Sequence, residues 1–217
     1  MRIISHMQEE KGHLHPLTVI GRKVAGIFVD MGFALPTGPE LETEYYNFDA
    51  LNIPANHPAR DMWDTFWLKP REEGKLLRTH TSPVQVHYME KHKPPFAICS
   101  IGRAYRYEAT DMTHENNFNQ IEGLMVGKDI SLANLKGILE EFFRRLFKKE
   151  IKVRFRPSYF PFVEPGLEVD MACFSCDGRG STLMSSKDYK VGGKMGLYHG
   201  RKYCSVCKGG GWIEIMG

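Results

Sequence analysis

The sequence has no long hydrophobic run and no large excess of one charge. None of its apolar stretches approaches the roughly 20 residues that span a bilayer, and its first residues, MRIISHMQEEKGH, contain no apolar core of a secretion signal. We therefore expect a protein without membrane segments, located in the cytoplasm. The net charge of +3 is too small to indicate a nucleic-acid-binding protein by itself.

Repeats of a whole folding unit and low-complexity tracts are also missing. With 217 residues, of which 42% are hydrophobic and 25% charged, the chain can bury one sizeable core. Basic residues cluster in the run RRLFKKEIKVRFR at residues 144–156, and a solvated helix face is the simplest interpretation of most of that run.

Hydrophobic periodicity predicts three helices. Apolar residues at three- and four-residue steps indicate a helix from Pro16, with Gly32 in a left-handed C-cap. Ser82 is a predicted N-cap for a short helix that ends near residue 91. Ser131 is a predicted N-cap for the longest helix, whose broad apolar stripe we expect to pack against a sheet. Strands are predicted at residues 33–35, 153–162 and 167–172.

Two strand-forming runs in the range Ile98–Val126 flank a polar loop at residues 109–117. Side chains alternate between the two faces of a strand, so polar residues at a spacing of two share a face. The same-face positions are Arg106 and Glu108 on the first run, and Phe118, Gln120 and Glu122 on the second. Such a face is an unusual core but would suit a phosphate, an amine and a flat base.

A plain antiparallel hairpin would place Arg106 opposite Gln120 and Glu108 opposite Phe118. Each residue alone has a plainer interpretation. Arg106 could form a surface salt bridge, and Phe118 could pack in the core.

Four of the five cysteines form two similar motifs, Cys173-x-x-Cys176-x-Gly-x-Gly and Cys204-x-x-Cys207-x-Gly-x-Gly. Paired CxxC motifs in a cytosolic chain predict a tetrahedral zinc site with four thiolate ligands. A redox CxxC and a disulfide are the alternatives. The segment between the motifs, residues 181–203, is polar and contains glycine, so we expect an exposed hairpin or loop there.

The Ile98–Val126 hairpin resembles motif 2 of class II aminoacyl-tRNA synthetases. Three further blocks, GPELETEYYNFDALNIPANHPARDMWDTFWL, LLRTHTSPVQVHYM and VRFRPSYFPFVEPG, resemble the catalytic α subunits of phenylalanyl-tRNA synthetases, as does the later segment GGWIEI. The helix from Pro16 and the strand after it resemble motif 1 of this class. The resemblance implies an α+β, class II synthetase-like fold, with a mostly antiparallel sheet flanked by helices and a zinc-knuckle insertion.

The resemblance also implies a function and its participants. The chain would activate phenylalanine with ATP and Mg²⁺ to phenylalanyl-adenylate and transfer it to tRNA(Phe), with a β subunit as partner and a structural Zn²⁺. Arg106 would be the catalytic arginine at the α-phosphate. The implied ATP-binding residues are Arg106, Glu108, His114 and Phe118. The implied phenylalanine-binding residues are His80, Ser82, Gln85, Gln120, Glu122, Phe160 and Phe162, although from composition alone the two last could equally belong to a Phe-rich core strand.

One family feature has no counterpart in this sequence: the glycine-rich third motif, whose arginine binds the γ-phosphate. We therefore expect the front part of a catalytic module, poorly active alone. The alternative is a non-catalytic synthetase-like fragment or paralogue that binds an amino acid, a nucleotide or RNA. The expected organisation is a leader at 1–12, a catalytic core at 13–172, a four-cysteine zinc-binding insertion at 173–209 and a returning core strand at 210–217.

Overall fold

The computed structural model describes residues 12–57, 60, 65–107, 115–159, 163–183 and 201–217. These residues form two compact units. The first comprises the described parts of Met1–Ala50 and Pro58–Ile130, and the second those of Leu51–His57 and Ser131–Gly217. The division at Ser131 falls inside the range 13–172 that the sequence predicted as one core. No helix in the described part of the chain is long and apolar enough to cross a membrane.

The first unit contains three helices and four strands. The helices are α1 (Pro16–Asp30), α2 (Glu44–Asn47) and α3 (Pro83–Met89), and the strands are β1 (Leu41–Thr43), β2 (Lys75–Leu77), β3 (Phe96–Tyr105) and β4 (Asn117–Val126). β1 pairs with β2 and β3 with β4, both antiparallel. Gly32 has a φ of 86°, the left-handed conformation predicted after α1. The strand predicted at residues 33–35 is reduced to one parallel bridge, between Ala34 and Ile98 of β3.

The second unit contains one helix and five strands. These are α4 (Leu132–Phe147), β5 (Val153–Pro157), β6 (Leu167–Ala172), β7 (Ser181–Leu183), β8 (Arg201–Tyr203) and β9 (Trp212–Met216). β5, β6 and β9 form one antiparallel sheet with β6 in the centre, and β7 pairs with β8. The predicted α+β class with antiparallel strands is confirmed, although the described strands form four separate sheets.

Helix α4 only partly matches the predicted core stripe. Leu139, Phe142 and Phe143 are buried, whereas Leu132 is 51% and Leu135 39% exposed. The two exposed leucines lie in the first turn of the helix. Ser131 is the N-cap of the helix, as predicted, and its backbone N–H donates to the side-chain oxygen of Asn134 (2.9 Å).

Candidate active site and metal centre

The β3–β4 hairpin carries the polar face that the sequence predicted, but in another register. Small residues of β3 lie opposite the site residues of β4: Ala104 opposite Phe118, Gly102 opposite Gln120 and Ser100 opposite Glu122. The predicted pairing of Arg106 with Gln120 is therefore wrong, as is that of Glu108 with Phe118. These small partners keep β3 low beside the three larger side chains, and the space over Gly102 is occupied by the side chain of Arg78.

The buried side chain of Arg78 fixes the position of β3 at Gly102. A Cβ atom on Gly102 would lie 2.2 Å from Arg78 Nη2, so only glycine fits there without displacing the guanidinium group. That group is fixed by donating from Nε to the Arg103 carbonyl (2.7 Å) and from Nη1 to the carbonyls of Gly38 and Pro39 (3.1 and 3.2 Å). The same segment also holds β4, because the Thr81 N–H donates to Gln120 and the Ser82 hydroxyl donates to Glu122. Both strands of the hairpin are therefore positioned by contacts from outside it.

The face shared by the site residues survives this correction, because the register changes by an even number of residues. Arg106 follows β3 and its backbone N–H donates to the Asn116 carbonyl (3.0 Å). Its guanidinium carbon lies 5.1 Å from the centre of the Phe118 ring, within cation–π range. Its Nε donates to the Thr79 carbonyl (3.2 Å), and among the described residues the two terminal nitrogens remain for a ligand.

Glu122 is the centre of a hydrogen-bond cluster between β4 and the start of α3. Its Oε2 accepts from the hydroxyls of Ser82 (2.8 Å) and Thr81 (3.2 Å), and its Oε1 accepts from the Gln85 amide. Ser82 was predicted as an N-cap, but its side chain makes no capping hydrogen bond. Its hydroxyl donates a hydrogen bond to Glu122 instead.

The hydrogen-bond acceptor positions that remain in this cluster suit a substrate ammonium group. Glu122 Oε1 accepts one hydrogen bond here, and a carboxylate oxygen can accept two. Gln120 Oε1 accepts from the Thr81 backbone N–H (3.0 Å), which fixes the amide orientation and leaves its second lone pair. Burial raises the pKa of the Glu122 carboxyl, while the hydrogen bonds from Ser82, Thr81 and Gln85 oppose that rise.

His80 lies next to this cluster as a neutral imidazole. Burial, with a contribution from the charge of Arg106, lowers its pKa to about 4. Its Nδ1 is buried and has no hydrogen-bond partner among the described residues. A buried nitrogen in this condition costs free energy unless a ligand or water meets it.

Two buried polar residues hold the segment around Thr79 and His80 in place. The sequence did not indicate a role for either of them. Asn47 is fully buried and holds Thr79 twice: its Nδ2 donates to Thr79 Oγ1 (3.0 Å), and its Oδ1 accepts from the Thr79 backbone N–H (3.2 Å). Arg78 is 4% exposed, and its backbone carbonyl accepts from the Tyr105 N–H (2.9 Å). Both residues stand in the quoted blocks, but only their burial reveals their roles.

Four of the predicted site residues lie outside the described residues: Glu108, His114, Phe160 and Phe162. The structure brings the others together on or beside one face of the hairpin: His80, Ser82, Gln85, Arg106, Phe118, Gln120 and Glu122.

The four paired cysteines form a second centre, in the other unit. All four are unpaired thiols, and their Sγ atoms all lie within 4.8 Å of one another. The closest contacts cross between the motifs, with 3.7 Å from Cys173 Sγ to Cys204 Sγ and 3.7 Å from Cys176 Sγ to Cys207 Sγ.

The surrounding backbone repeats this twofold arrangement. The N–H of Cys173 donates to the Gly211 carbonyl (2.8 Å), and the N–H of Cys204 donates to the Gly180 carbonyl (2.9 Å). The N–H of each of these glycines donates to a sulfur (3.2 Å in both cases), Gly180 to Cys176 and Gly211 to Cys207. Both glycines have positive φ, and a Cβ atom on either would meet a carbonyl oxygen of the opposite motif at 2.2–2.4 Å.

This donor set fits a tetrahedral metal. Four thiolates at the usual zinc–sulfur distance of about 2.3 Å stand roughly 3.8 Å apart, close to the 3.7 Å found here. Backbone N–H groups directed at the sulfurs would orient the thiolates and stabilise their negative charge.

Comparison with known proteins gives a consistent relationship. The sequence profile described as "tRNA synthetases class II core domain (F)" matches residues 3–217. Proteins named phenylalanine–tRNA ligase alpha subunit are similar over most of this chain. That of Dehalococcoides mccartyi is 50% identical over 95% of the chain, and that of Desulfotalea psychrophila is 47% identical over 97%. The chain spans about half the length of these relatives, 54% in each case.

Solved structures of low sequence identity support the fold. Two structures of a pyrrolysyl-tRNA synthetase from Desulfitobacterium hafniense match with a TM-score of 0.55, at 21% and 23% identity. The matches cover 72% and 75% of this chain and 54% and 57% of those chains.

Proposed function

We propose that this chain, which belongs to the family of class II tRNA synthetase core domains, is the catalytic part of a phenylalanine–tRNA ligase α subunit. It would bind phenylalanine and ATP, form phenylalanyl-adenylate and transfer the amino acid to tRNA(Phe). The family and the relatives' names support this proposal. The geometric observation behind it is the single polar face that combines Glu122 and its three donors with Arg106 and Phe118.

Each part of that face would serve one part of the reaction. Glu122 and Gln120 would accept hydrogen bonds from the substrate ammonium, and neutral His80, with Ser82 and Gln85, would hold the amino acid head group. The guanidinium of Arg106 would bind the substrate carboxylate and the α-phosphate of ATP, which must approach each other for in-line attack. Phe118 would stack on the adenine.

Catalysis in such a site depends on position and charge. The substrate carboxylate would attack the α-phosphorus with pyrophosphate as the leaving group, and Arg106 would neutralise charge on the phosphoryl oxygens. Mg²⁺, when bound with ATP, would supply further positive charge there. Glu108 and His114 would complete the ATP site, and Phe160 and Phe162 the wall around the phenylalanine ring. These four assignments come from the family resemblance.

The four-cysteine cluster would hold a structural Zn²⁺. Cys173, Cys176, Cys204 and Cys207 would all coordinate it, so no open position would remain for chemistry. We further propose a cytoplasmic location, where thiols stay reduced. We also propose a β subunit as partner, as the resemblance to phenylalanyl-tRNA synthetases implies.

Phenylalanine-dependent ATP–pyrophosphate exchange tests the proposal. The full-length protein with its β subunit should exchange with phenylalanine above all other amino acids. Arg106→Ala should lower the rate by about a hundredfold or more, the usual effect of removing one such donor from a reaction centre. Arg103→Ala is the matched control, since Arg103 is exposed on the other face of β3 and should leave the rate unchanged.

Binding of phenylalanine without any exchange would instead identify a non-catalytic binding protein. A normal rate in Arg106→Ala would contradict the assignment of the polar face.

A further inference from the structure

Positive charge is concentrated in the four-cysteine insertion. Residues 173–209 contain seven Lys or Arg and two Asp, a net charge of +5 with neutral cysteines and of +3 with four thiolates on one Zn²⁺, whereas the whole chain with neutral cysteines has +3. The other 180 residues contain 22 basic and 24 acidic residues and are therefore slightly negative. The basic residues of the insertion that the structure describes with their side chains are Arg179, Lys202 and Lys208. Arg179 is exposed and pairs with the exposed Asp177 (3.3 Å), a contact that a phosphate would have to replace. A local charge of this kind favours a polyanionic partner.

The twofold repeat within the insertion shows which side chains its fold requires. Position by position, Ala172 and Tyr203 precede the first cysteine of each motif, and Phe174 and Ser205 follow it. Both motifs form the two hydrogen bonds described above, from the first cysteine N–H to the opposite glycine carbonyl and from a glycine N–H to the second cysteine sulfur, whichever residue stands at these positions. An aromatic ring is therefore unnecessary at either position for the metal site.

Tyr203 nonetheless presents a ring to solvent on a rigid base. An ideal Cβ atom on Gly209 would lie 2.9 Å from Tyr203 Cδ1 and 3.5 Å from Cε1, so the ring rests against that glycine. Tyr203 is still 67% exposed. In the other motif, Ala172 takes the place of Tyr203. Its Cβ lies 3.5 Å from the position that a Cβ atom on Gly178 would occupy. The alanine thus provides the packing that the fold needs.

Phe174 is the second such residue. It is 54% exposed, and its counterpart in the other motif is Ser205. Exposed aromatic rings among basic residues are the combination that binds single-stranded nucleic acid, because bases stack on the rings while Lys and Arg contact the phosphates.

We propose that the insertion is a binding surface for single-stranded RNA, with Tyr203 and Phe174 as stacking platforms and Arg179, Lys202 and Lys208 as phosphate contacts. The identity of the RNA rests on the proposed function: it would be an unpaired stretch of the tRNA substrate. The metal would hold both motifs in place and so preorganise the surface.

The test measures binding of a fluorescein-labelled single-stranded RNA 12-mer to the full-length protein by anisotropy. The variant Tyr203→Ala/Phe174→Ser gives each position the residue of its counterpart, so zinc content and Tm should stay at wild-type values. Binding should weaken about 25-fold or more, since two stacking contacts are lost and each is expected to contribute about fivefold or more. An RNA duplex of the same length should show a much smaller effect.

The charge contribution has its own readout. Replacing Arg179, Lys202 and Lys208 with Gln should reduce the slope of log Kd against log salt by about 2, because each phosphate contact on a single strand contributes about 0.7. Lys136→Gln is the control, since this exposed lysine of α4 pairs with Glu140 outside the insertion.

The outcomes separate this inference from the proposed function. Unchanged RNA binding in the aromatic variant, or equal competition by polyglutamate, would overturn the inference. Exchange activity needs no RNA and should persist in both variants. An active wild-type enzyme that binds no single-stranded RNA would refute the RNA surface and leave the ligase assignment intact, whereas missing exchange would refute the ligase assignment itself.

Discussion

Replacing Glu122 with Gln at the candidate active site should weaken substrate binding without lowering the stability of the folded protein. The change keeps the size of the side chain but removes its charge. If Glu122 binds the substrate ammonium, the variant loses a charge-assisted contact in a half-buried site. Removing one partner of such a pair costs at least about 2 kcal/mol, or roughly thirtyfold in Kd.

The structure predicts the opposite direction for stability. Burial raises the pKa of the Glu122 carboxyl, so the folded protein favours the neutral form more than the unfolded chain does. The stabilisation from this group is complete below the ordinary pKa of glutamate and is lost as pH rises through the raised value. A Gln side chain does not ionise, so the variant does not lose this stabilisation as the pH rises. The hydroxyls of Ser82 and Thr81 can rotate to accept hydrogen bonds from its amide.

Two measurements check this reasoning on the full-length protein. Calorimetry should show weaker binding of phenylalanine by Glu122→Gln, with little change for 3-phenylpropionate, which lacks the ammonium group. Thermal unfolding at pH 8 should give a Tm equal to or above that of the wild type. Equal loss of affinity for both ligands, or a clearly lower Tm, would refute the assigned role of Glu122.

Three further predictions concern other parts of the molecule. Asn47→Ala should destabilise the protein by about 1–3 kcal/mol, because it leaves the buried N–H of Thr79 without an acceptor; denaturant unfolding measures this, and an unchanged midpoint would show that water replaces the amide. Elemental analysis should find one zinc per chain, and a chelator should first increase proteolysis within residues 184–200; absence of metal, or a disulfide within either CxxC, would contradict the metal site. Calorimetry should show tighter binding of phenylalanine than of tyrosine, since the family resemblance assigns the apolar rings of Phe160 and Phe162 to the pocket wall and neither ring can form a hydrogen bond with a phenol hydroxyl; equal affinities would contradict the expected pocket.

The candidate active site shows both the reach and the limit of a sequence pattern. Alternation at a spacing of two correctly placed Phe118, Gln120 and Glu122 on one face, because alternation is a property of every strand. It could not give the register, which depends on what meets the strands from outside. Arg78, which is 24 residues from Gly102 along the chain, occupies the space that a side chain at position 102 would need.

The role of Ser82 illustrates the same limit. A serine before a proline at the start of an apolar segment is a good N-cap by local rules, and the helix does start at Pro83. The hydroxyl instead donates to Glu122, which is 40 residues away in the chain and adjacent only in the fold. Local propensity determined the start of the helix, and tertiary proximity determined the partner of the side chain.

The sequence by itself determined the family, the antiparallel α+β class and the grouping of four cysteines, because each depends on residue identity and short spacing. Only the tertiary structure decided the β3–β4 register, the cluster around Glu122 and the buried positions of Arg78 and Asn47. These features arise where segments distant in sequence compete for the same space and the same hydrogen-bond partners, and a linear pattern contains no measure of that competition.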